Sequence, residues 1–268
     1  MSSVVDHPVL IPVGEDPLGG MITAPASAPP RAGLVLLPEG GNRSGANRMW
    51  ADLARTLAQR GVSVLRPDYP GFRDSTRIDP SSPQGARALR EALAWFRDRI
   101  ETPDLLLLGS CRGARHGVVL GASAPGDLRG IGLVVPYLRR PPELGRLLRL
   151  VRRVWRGVRP PHFRPGDRPR IRTGVDADLQ ELLSSIAGRT PVWVLVGEHD
   201  YAATDVAALP VGLELETIPG VALHTFGDPG MQREAAGRIV RWVERRLDDR
   251  GATTTGTEAS RVPRDDAR

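Results

Sequence analysis

Lysine is absent from this chain: all 37 basic residues are arginine. That exclusivity is most simply the codon usage of a GC-rich genome, so arginine number points to no partner and only arginine placement is informative. Cysteine occurs once, at Cys111. One thiol cannot close an internal disulfide, which suits a reducing compartment and leads us to expect a cytoplasmic protein. No cluster of cysteine and histidine has metal-ligand spacing, so no metal site is expected. No apolar run approaches the ~20 residues that span a bilayer, so no transmembrane segment is expected. The opening "MSSVVDHPVLIPV" lacks a basic n-region and a long apolar h-region, which argues against a signal peptide.

The sequence does contain an alternation. Hydrophobic residues make up 40 % of it and charged residues 25 %, as in globular proteins. "AGLVLLP" (32–38), "VSVLRPD" (62–68), "DLLLLGS" (104–110), "GIGLVVP" (130–136), "PVWVLVG" (191–197) and "LELETI" (213–218) are short apolar strand candidates. Between them lie helical patterns. One carries Trp50, Leu53, Ala54 and Leu57 on a single face and stops at Gly61, another carries Ala86, Leu89, Leu93 and Phe96, and a third covers 112–122. A last helix is expected from Asp228-Pro229, a cap followed by proline in the first turn. Near-continuous apolar strands between amphipathic helices predict an α/β fold, a mostly parallel doubly wound sheet covered on both faces. The first thirty residues predict antiparallel edge strands. The core is expected over 1–137 and 191–248, and 249–268, which lacks apolar periodicity, is expected to be disordered.

The interval 138–190 is too long for a simple crossover. With helices expected at 142–157 and 176–187, it predicts a cap inserted over the C-terminal edge of the sheet. Residues 137–172 hold twelve arginines against Glu143 and Asp167, a net +10 that leaves −4 for the rest of the chain. Leu144, Leu147, Leu148, Val151, Val154 and Trp155 follow helical spacing, with Arg146, Arg149, Arg152, Arg153 and Arg156 around the remainder. The stripe packs the cap onto the core. The arginines are either a solvated face or a dock for an anionic partner: an acidic acyl-carrier protein, its phosphopantetheine arm, or an anionic small molecule. An anionic membrane surface is a further candidate, and nucleic acid fits less well because no recognised binding motif accompanies the charge.

The lone cysteine lies in "LLLLGSCRGARHG", between a strand and a helix. Glycine, any residue, nucleophile, any residue, glycine in that setting is a nucleophile elbow. Strained backbone angles at the nucleophile require neighbours two residues away without bulk, and Gly109 and Gly113 satisfy this. The turn lifts the side chain to a helix N-terminus, where the dipole and free N–H groups favour a thiolate, and the Arg112 amide would face an oxyanion. Against this stand an inert buried Cys111 and Ser110 as nucleophile, one place early for the turn.

On these residues the chain resembles the α/β-hydrolase superfamily over roughly residues 10 to 248, and within it the minority with a cysteine nucleophile, as in dienelactone hydrolases. "LLPEGGNRSG" is similar to the family's oxyanion loop, "VLVGEHD" to the strand that ends in the acid, and "IPGVALHTF" to the loop that carries the histidine. The resemblance implies a Cys111, Asp200, His224 triad, with Glu198 and Asp205 as rivals for the acid and His7, His116, His162 and His199 as rivals for the base. It implies an oxyanion hole from the Arg112 amide and a second amide in the loop after the third strand, for which Gly40, Gly41 and Asn42 are the candidates and Gly41 the first choice. Where the family often has histidine before those glycines, this chain has Glu39, for which Arg43, Arg112 or Arg115 are candidate partners. Glu39, Arg43, Arg115, Arg152 and Arg153 are candidates for contact with substrate or partner. No cofactor is implied.

A thiolate so placed attacks esters, thioesters and activated lactones, giving an acyl-enzyme that water or another acceptor discharges. "GSCRGAR" in an arginine-only composition resembles hydrolase-like proteins of actinobacterial polyketide pathways, some of which in tetronate pathways are acetate-eliminating lyases. The resemblance thus implies an ester, thioester or tetronate substrate, with elimination as an alternative. A scaffold with an inert cysteine, docking an acidic partner through its arginines, is the non-enzymatic alternative.

Overall fold

The computed structural model describes residues 3–14, 17–39, 43–69, 75, 83–124, 128–138, 177–206, 209, 212–223 and 227–254. They form β1 (Val4–Ile11), β2 (Leu18–Pro25), β3 (Ala32–Leu37), α1 (Met49–Ala58), β4 (Val62–Pro67), α2 (Pro83–Arg97), β5 (Leu105–Ser110), α3 (Arg112–Ser123), β6 (Gly130–Val134), α4 (Ala177–Ala187), β7 (Val192–Gly197), α5 (Tyr201–Val206), β8 (Glu214–Ile218) and α6 (Pro229–Thr254). Each apolar run singled out in the sequence is a strand, and each amphipathic run that falls within the described residues is a helix; the run expected as a helix at 142–157 lies outside them. The short α5 left no signal in the sequence, since six residues are too few to show a helical period.

The eight strands form one sheet in the order β1-β2-β4-β3-β5-β6-β7-β8. β1 pairs with β2, and β2 with β4, antiparallel; β4 through β8 run parallel. Two covered faces explain why the parallel strands read as continuous apolar runs: Leu34, Leu36, Leu37, Leu106, Leu107, Leu108, Val194 and Leu195 have no exposed surface. β3 lies between β4 and β5, so the winding reverses there, and a crevice opens past the carboxyl ends of β3 and β5. That reversal decides where a ligand can sit.

The helices obey their sequence signals. Asp228 caps α6, its Oδ1 accepting the Met231 N–H at 2.9 Å, and Pro229 takes the first helical position. α6 packs Trp242 on Trp193 of β7, with ring centroids 5.4 Å apart and planes nearly parallel. It continues to Thr254, past residue 248 where the sequence places the end of the core. α4 forms where a helix was expected at 176–187, but it packs against α3, and Leu179, Leu183 and Ile186 join the main core. The end of the interval read as a cap thus behaves as an ordinary crossover helix between β6 and β7. The rest of that interval, 139–176, lies outside the described residues, as does the tail from 255. Among the described residues no helix is long and apolar enough to cross a membrane.

Candidate active site

Cys111 stands between the last residue of β5 and the first of α3, with φ 49° and ψ −112°. L-residues rarely adopt such angles, and holding one there costs roughly 1–3 kcal/mol. The surroundings enforce it. The Cys111 N–H donates to the Val134 carbonyl at 2.9 Å, and the Cys111 carbonyl accepts from the Tyr137 N–H at 3.1 Å. The chain leaving β6 therefore clamps both peptide groups of the turn. It is itself strained there, since buried Val135 has φ 44°, an outlier for a β-branched residue.

The flanking glycines are required by close approach. A Cβ on Gly109 would lie 2.5 Å from the Gly113 carbonyl oxygen and 2.6 Å from Ala114 Cα; one on Gly113 would lie 2.0 Å from the Leu37 carbonyl oxygen. So α3 starts tight against the ends of β3 and β5. Cys111 is 8 % exposed, at the mouth of the helix rather than deep in the core. Arg112, exposed, begins α3, whose first amides have no partner within the helix.

Asp200 follows β7 and is 4 % exposed. Its Oδ2 accepts the Gly197 N–H at 2.7 Å and the Leu223 N–H at 3.0 Å. The carboxylate thus closes its own turn and grips the loop after β8 one residue before His224. The rivals for the acid are placed differently. Glu198 is exposed and its Oε2 accepts the Gly220 N–H at 2.8 Å, and Asp205 is buried on α5. β6 separates Asp200 from Cys111, so the two turns stand roughly 10 Å apart along the sheet edge, at about 4.8 Å per strand.

Among the histidines, His7 is exposed on β1, at the far edge of the sheet from this site. His116 is half-buried on α3 with its ring 5.2 Å from that of Tyr69. His199 is exposed beside Asp200. His224 and His162 lie outside the described residues, as do Gly40, Gly41, Asn42, Arg152 and Arg153.

Both ends of the loop after β3 are anchored. At its start the Glu39 N–H donates to Ser110 Oγ at 3.0 Å. Ser110 has no exposed surface, so its hydroxyl faces the loop and supports it, and a nucleophilic role does not fit that placement. At the far end Arg43 Nη1 donates to Asp68 Oδ2 at 2.6 Å, Asp68 being fully buried. The Arg43 carbonyl accepts from Arg66 Nη1 at 3.0 Å. Arg66 is buried too. Burial pulls its pKa down, and the nearby Asp6 carboxylate opposes that. The Glu39 side chain is exposed and Arg115 is half-buried. Ser110, Asp68 and Arg66 thus hold the two ends of this loop; the sequence marked Ser110 only as a rival nucleophile and left Asp68 and Arg66 unmarked. Among the described residues no three His, Cys, Asp or Glu side chains gather as a metal site requires.

Several solved structures share this architecture. The dienelactone hydrolase of Anabaena variabilis superposes with a TM-score of 0.63 at 16 % identity, over 90 % of this chain and 98 % of that one. The thioesterase domain from the curacin biosynthetic pathway does so with 0.62 at 15 %, over 89 % and 99 %. Est1E from Butyrivibrio proteoclasticus, solved with ferulic acid bound, gives 0.64 at 14 %, over 89 % and 99 %. At such identities these likenesses speak to the fold alone. No curated protein matches the chain in sequence. A family model described as alpha/beta hydrolase fold matches residues 33–202, which span the β3 loop, the elbow and Asp200, and the chain therefore belongs to the alpha/beta hydrolase fold family.

Proposed function

We propose that this protein is a cysteine-nucleophile enzyme that cleaves or transfers the acyl group of an ester or thioester, with Cys111, His224 and Asp200 as its triad. The observation that carries the reading is the strained Cys111 turn at the winding reversal, with Asp200 on the same sheet edge holding the backbone next to His224. Strain of this kind persists only where the surrounding structure enforces it, and it clusters at reacting groups. An inert cysteine needs no such turn.

In the proposed cycle the Cys111 thiol gives its proton to His224, and the sulfur attacks the acyl carbon. The carbonyl oxygen takes up the negative charge, met by the Arg112 amide and an amide of the loop after Glu39. The carbon–oxygen or carbon–sulfur bond then breaks, and the leaving alcohol or thiol departs with the proton from His224. Water or another acceptor attacks the thioester, with His224 as base, and Cys111 is restored. Asp200 orients the imidazole and balances its charge. The dienelactone hydrolase, thioesterase and Est1E neighbours agree with acyl chemistry. The twelve arginines of 137–172 suit an anionic substrate or an acidic carrier protein, consistent with a place in secondary metabolism.

The test is a panel of aryl esters, acyl thioesters and acetylated tetronates, wild type beside Cys111→Ala, with a mass-spectrometric search for an acyl adduct on Cys111. A transient adduct with turnover in the wild type, and neither in the variant, is expected. Turnover that survives Cys111→Ala would refute the reading. Acetate released from a tetronate with no adduct at any time would assign elimination instead.

A further inference from the structure

Tyr69 follows β4 by two residues and is 4 % exposed. Its hydroxyl is closed off from solvent and has no hydrogen-bond partner among the described residues. A buried hydroxyl without an acceptor carries the cost of its lost hydration, and phenylalanine would fill the same space without that cost. The hydroxyl has a defined place. A Cβ on Gly113 would come within 2.7 Å of it and within 2.0 Å of the Leu37 carbonyl oxygen. It therefore sits where the end of β3 meets the first turn of α3, the helix opened by Cys111. The Leu37 carbonyl is nearby and does not accept from it.

Among the described residues, Cys111 at the start of the elbow turn and Glu39 in the loop after β3 act electrostatically on Tyr69, and the His116 ring of α3 lies 5.2 Å from its ring. Burial first, and then the Cys111 and Glu39 charges, push the phenol well above the ordinary tyrosine range. Burial thus favours the neutral, protonated phenol. It is a donor without an acceptor, lodged against Gly113 in the turn that Cys111 opens.

We propose that the Tyr69 hydroxyl is a hydrogen-bond donor to the Cys111 thiolate. The inference deepens the cysteine-nucleophile reading, which gives the thiolate its purpose. When the Cys111 thiol yields its proton to His224, the sulfur gains a negative charge and becomes the acceptor the phenol lacks. Tyr69 transfers nothing; it lowers the free energy of the charged sulfur. Burial on its own would favour the neutral thiol, so a donor on the strand side of the turn offsets part of that cost.

Thiolate absorbance in the far ultraviolet tests this without any substrate. It is followed against pH in wild type and Tyr69→Phe, each with its own Cys111→Ala counterpart subtracted. Loss of a hydrogen bond to a charged group predicts a thiol midpoint about 1–2 pH units higher in Tyr69→Phe. Alkylation of Cys111 by iodoacetamide at mildly acidic pH should slow about tenfold or more, in step with that shift. The melting temperature should be unchanged or raised, because an unpartnered hydroxyl has been removed. An unchanged midpoint in folded Tyr69→Phe would overturn the inference, whether or not turnover falls. So would a lowered melting temperature with an unchanged midpoint, which marks a structural hydroxyl. A shifted midpoint together with turnover that survives Cys111→Ala would sustain the inference and sink the nucleophile reading.

Discussion

The Asp200 carboxylate accepts the Leu223 N–H at 3.0 Å, and Leu223 is the residue before His224. One oxygen therefore ties the turn after β7 to the loop that carries the candidate base, and it also holds the Gly197 N–H at 2.7 Å. Structural and electrostatic contributions of this side chain separate by substitution. Asp200→Asn keeps a carbonyl oxygen able to accept both bonds but removes the charge that balances an imidazolium. Asp200→Ala leaves two buried amides without partners, at about 1–3 kcal/mol each. We expect Asp200→Asn to unfold within about 1 kcal/mol of wild type while its turnover falls on the order of 10³–10⁴-fold. Asp200→Ala should lose both, with the urea midpoint and kcat measured on the same preparations.

Gly113 and Gly117 lie one turn apart on α3 and should respond oppositely to alanine. A methyl at Gly113 would meet the Leu37 carbonyl at 2.0 Å, where backbone must move; at Gly117 its nearest neighbour is Leu133 Cδ2 at 3.7 Å, an ordinary contact. Gly113→Ala should cost on the order of 3 kcal/mol. Gly117→Ala should be neutral or stabilise by up to about 1 kcal/mol, since alanine restricts the unfolded chain and suits a helix. Chemical denaturation of both variants checks the contrast; equal losses would mean that α3 is not seated on β3 as described.

Much of this arrangement was legible in the sequence, and the part that was not has a common cause. The strands announced themselves because a parallel sheet buried on both faces demands unbroken apolar runs. The elbow did so because Gly109 and Gly113 are forced by contacts two residues either side of Cys111. The Asp228-Pro229 signal is equally local, and it does cap α6. The support of the loop after β3 was hidden. Ser110 reaches Glu39 across 71 residues, and Arg43 reaches Asp68 across 25, contacts that exist only once β3 has β4 and β5 as neighbours. The sequence offers Arg43, Arg112 and Arg115 alike as candidate partners for Glu39; in the fold the Arg43 guanidinium donates to Asp68, a contact with no local mark. The positive φ of Val135 had no sequence mark at all, since that conformation is imposed on valine by its clamp on the elbow and is not encoded by a turn-forming residue.

Ser110 and Cys111 are adjacent and should separate cleanly. Ser110→Ala removes the acceptor of the Glu39 N–H and loosens the start of the loop after β3, the proposed source of an oxyanion donor. We expect turnover to fall about tenfold, within what a misplaced donor loses, while Cys111 still alkylates and still forms the acyl adduct. Cys111→Ala should abolish adduct and turnover together. An adduct on Ser110 in any variant would reassign the nucleophile.

Arg43 and Asp68 form a pair in which the acid has no exposed surface. Removing Arg43, which is 21 % exposed, takes a charged partner from a carboxylate held in the interior, so Arg43→Ala should destabilise by about 3 kcal/mol. The double variant Arg43→Ala/Asp68→Ala should lose clearly less than the sum of the two single losses, because the carboxylate that Arg43 serves is gone with it. Additive losses in urea denaturation would show that the two residues act independently.

The backbone of Cys111 offers a test that needs neither substrate nor reagent. At φ 49° and ψ −112° a Cβ is strained and a glycine is not. Elsewhere in a fold, Gly is less stable than Ala because its unfolded chain is freer, by roughly 0.5–1 kcal/mol. At this position the order should invert. Cys111→Gly is expected to exceed Cys111→Ala in stability by about 1 kcal/mol, the strain relieved less that entropy, although both lack the thiol. If wild type is also less stable than Cys111→Gly, the turn holds its cysteine at a cost to the fold, as expected for a residue kept for its chemistry. If Cys111→Ala is instead the more stable variant, the turn relaxes in solution to ordinary angles, and the geometric argument for a nucleophile at this position fails.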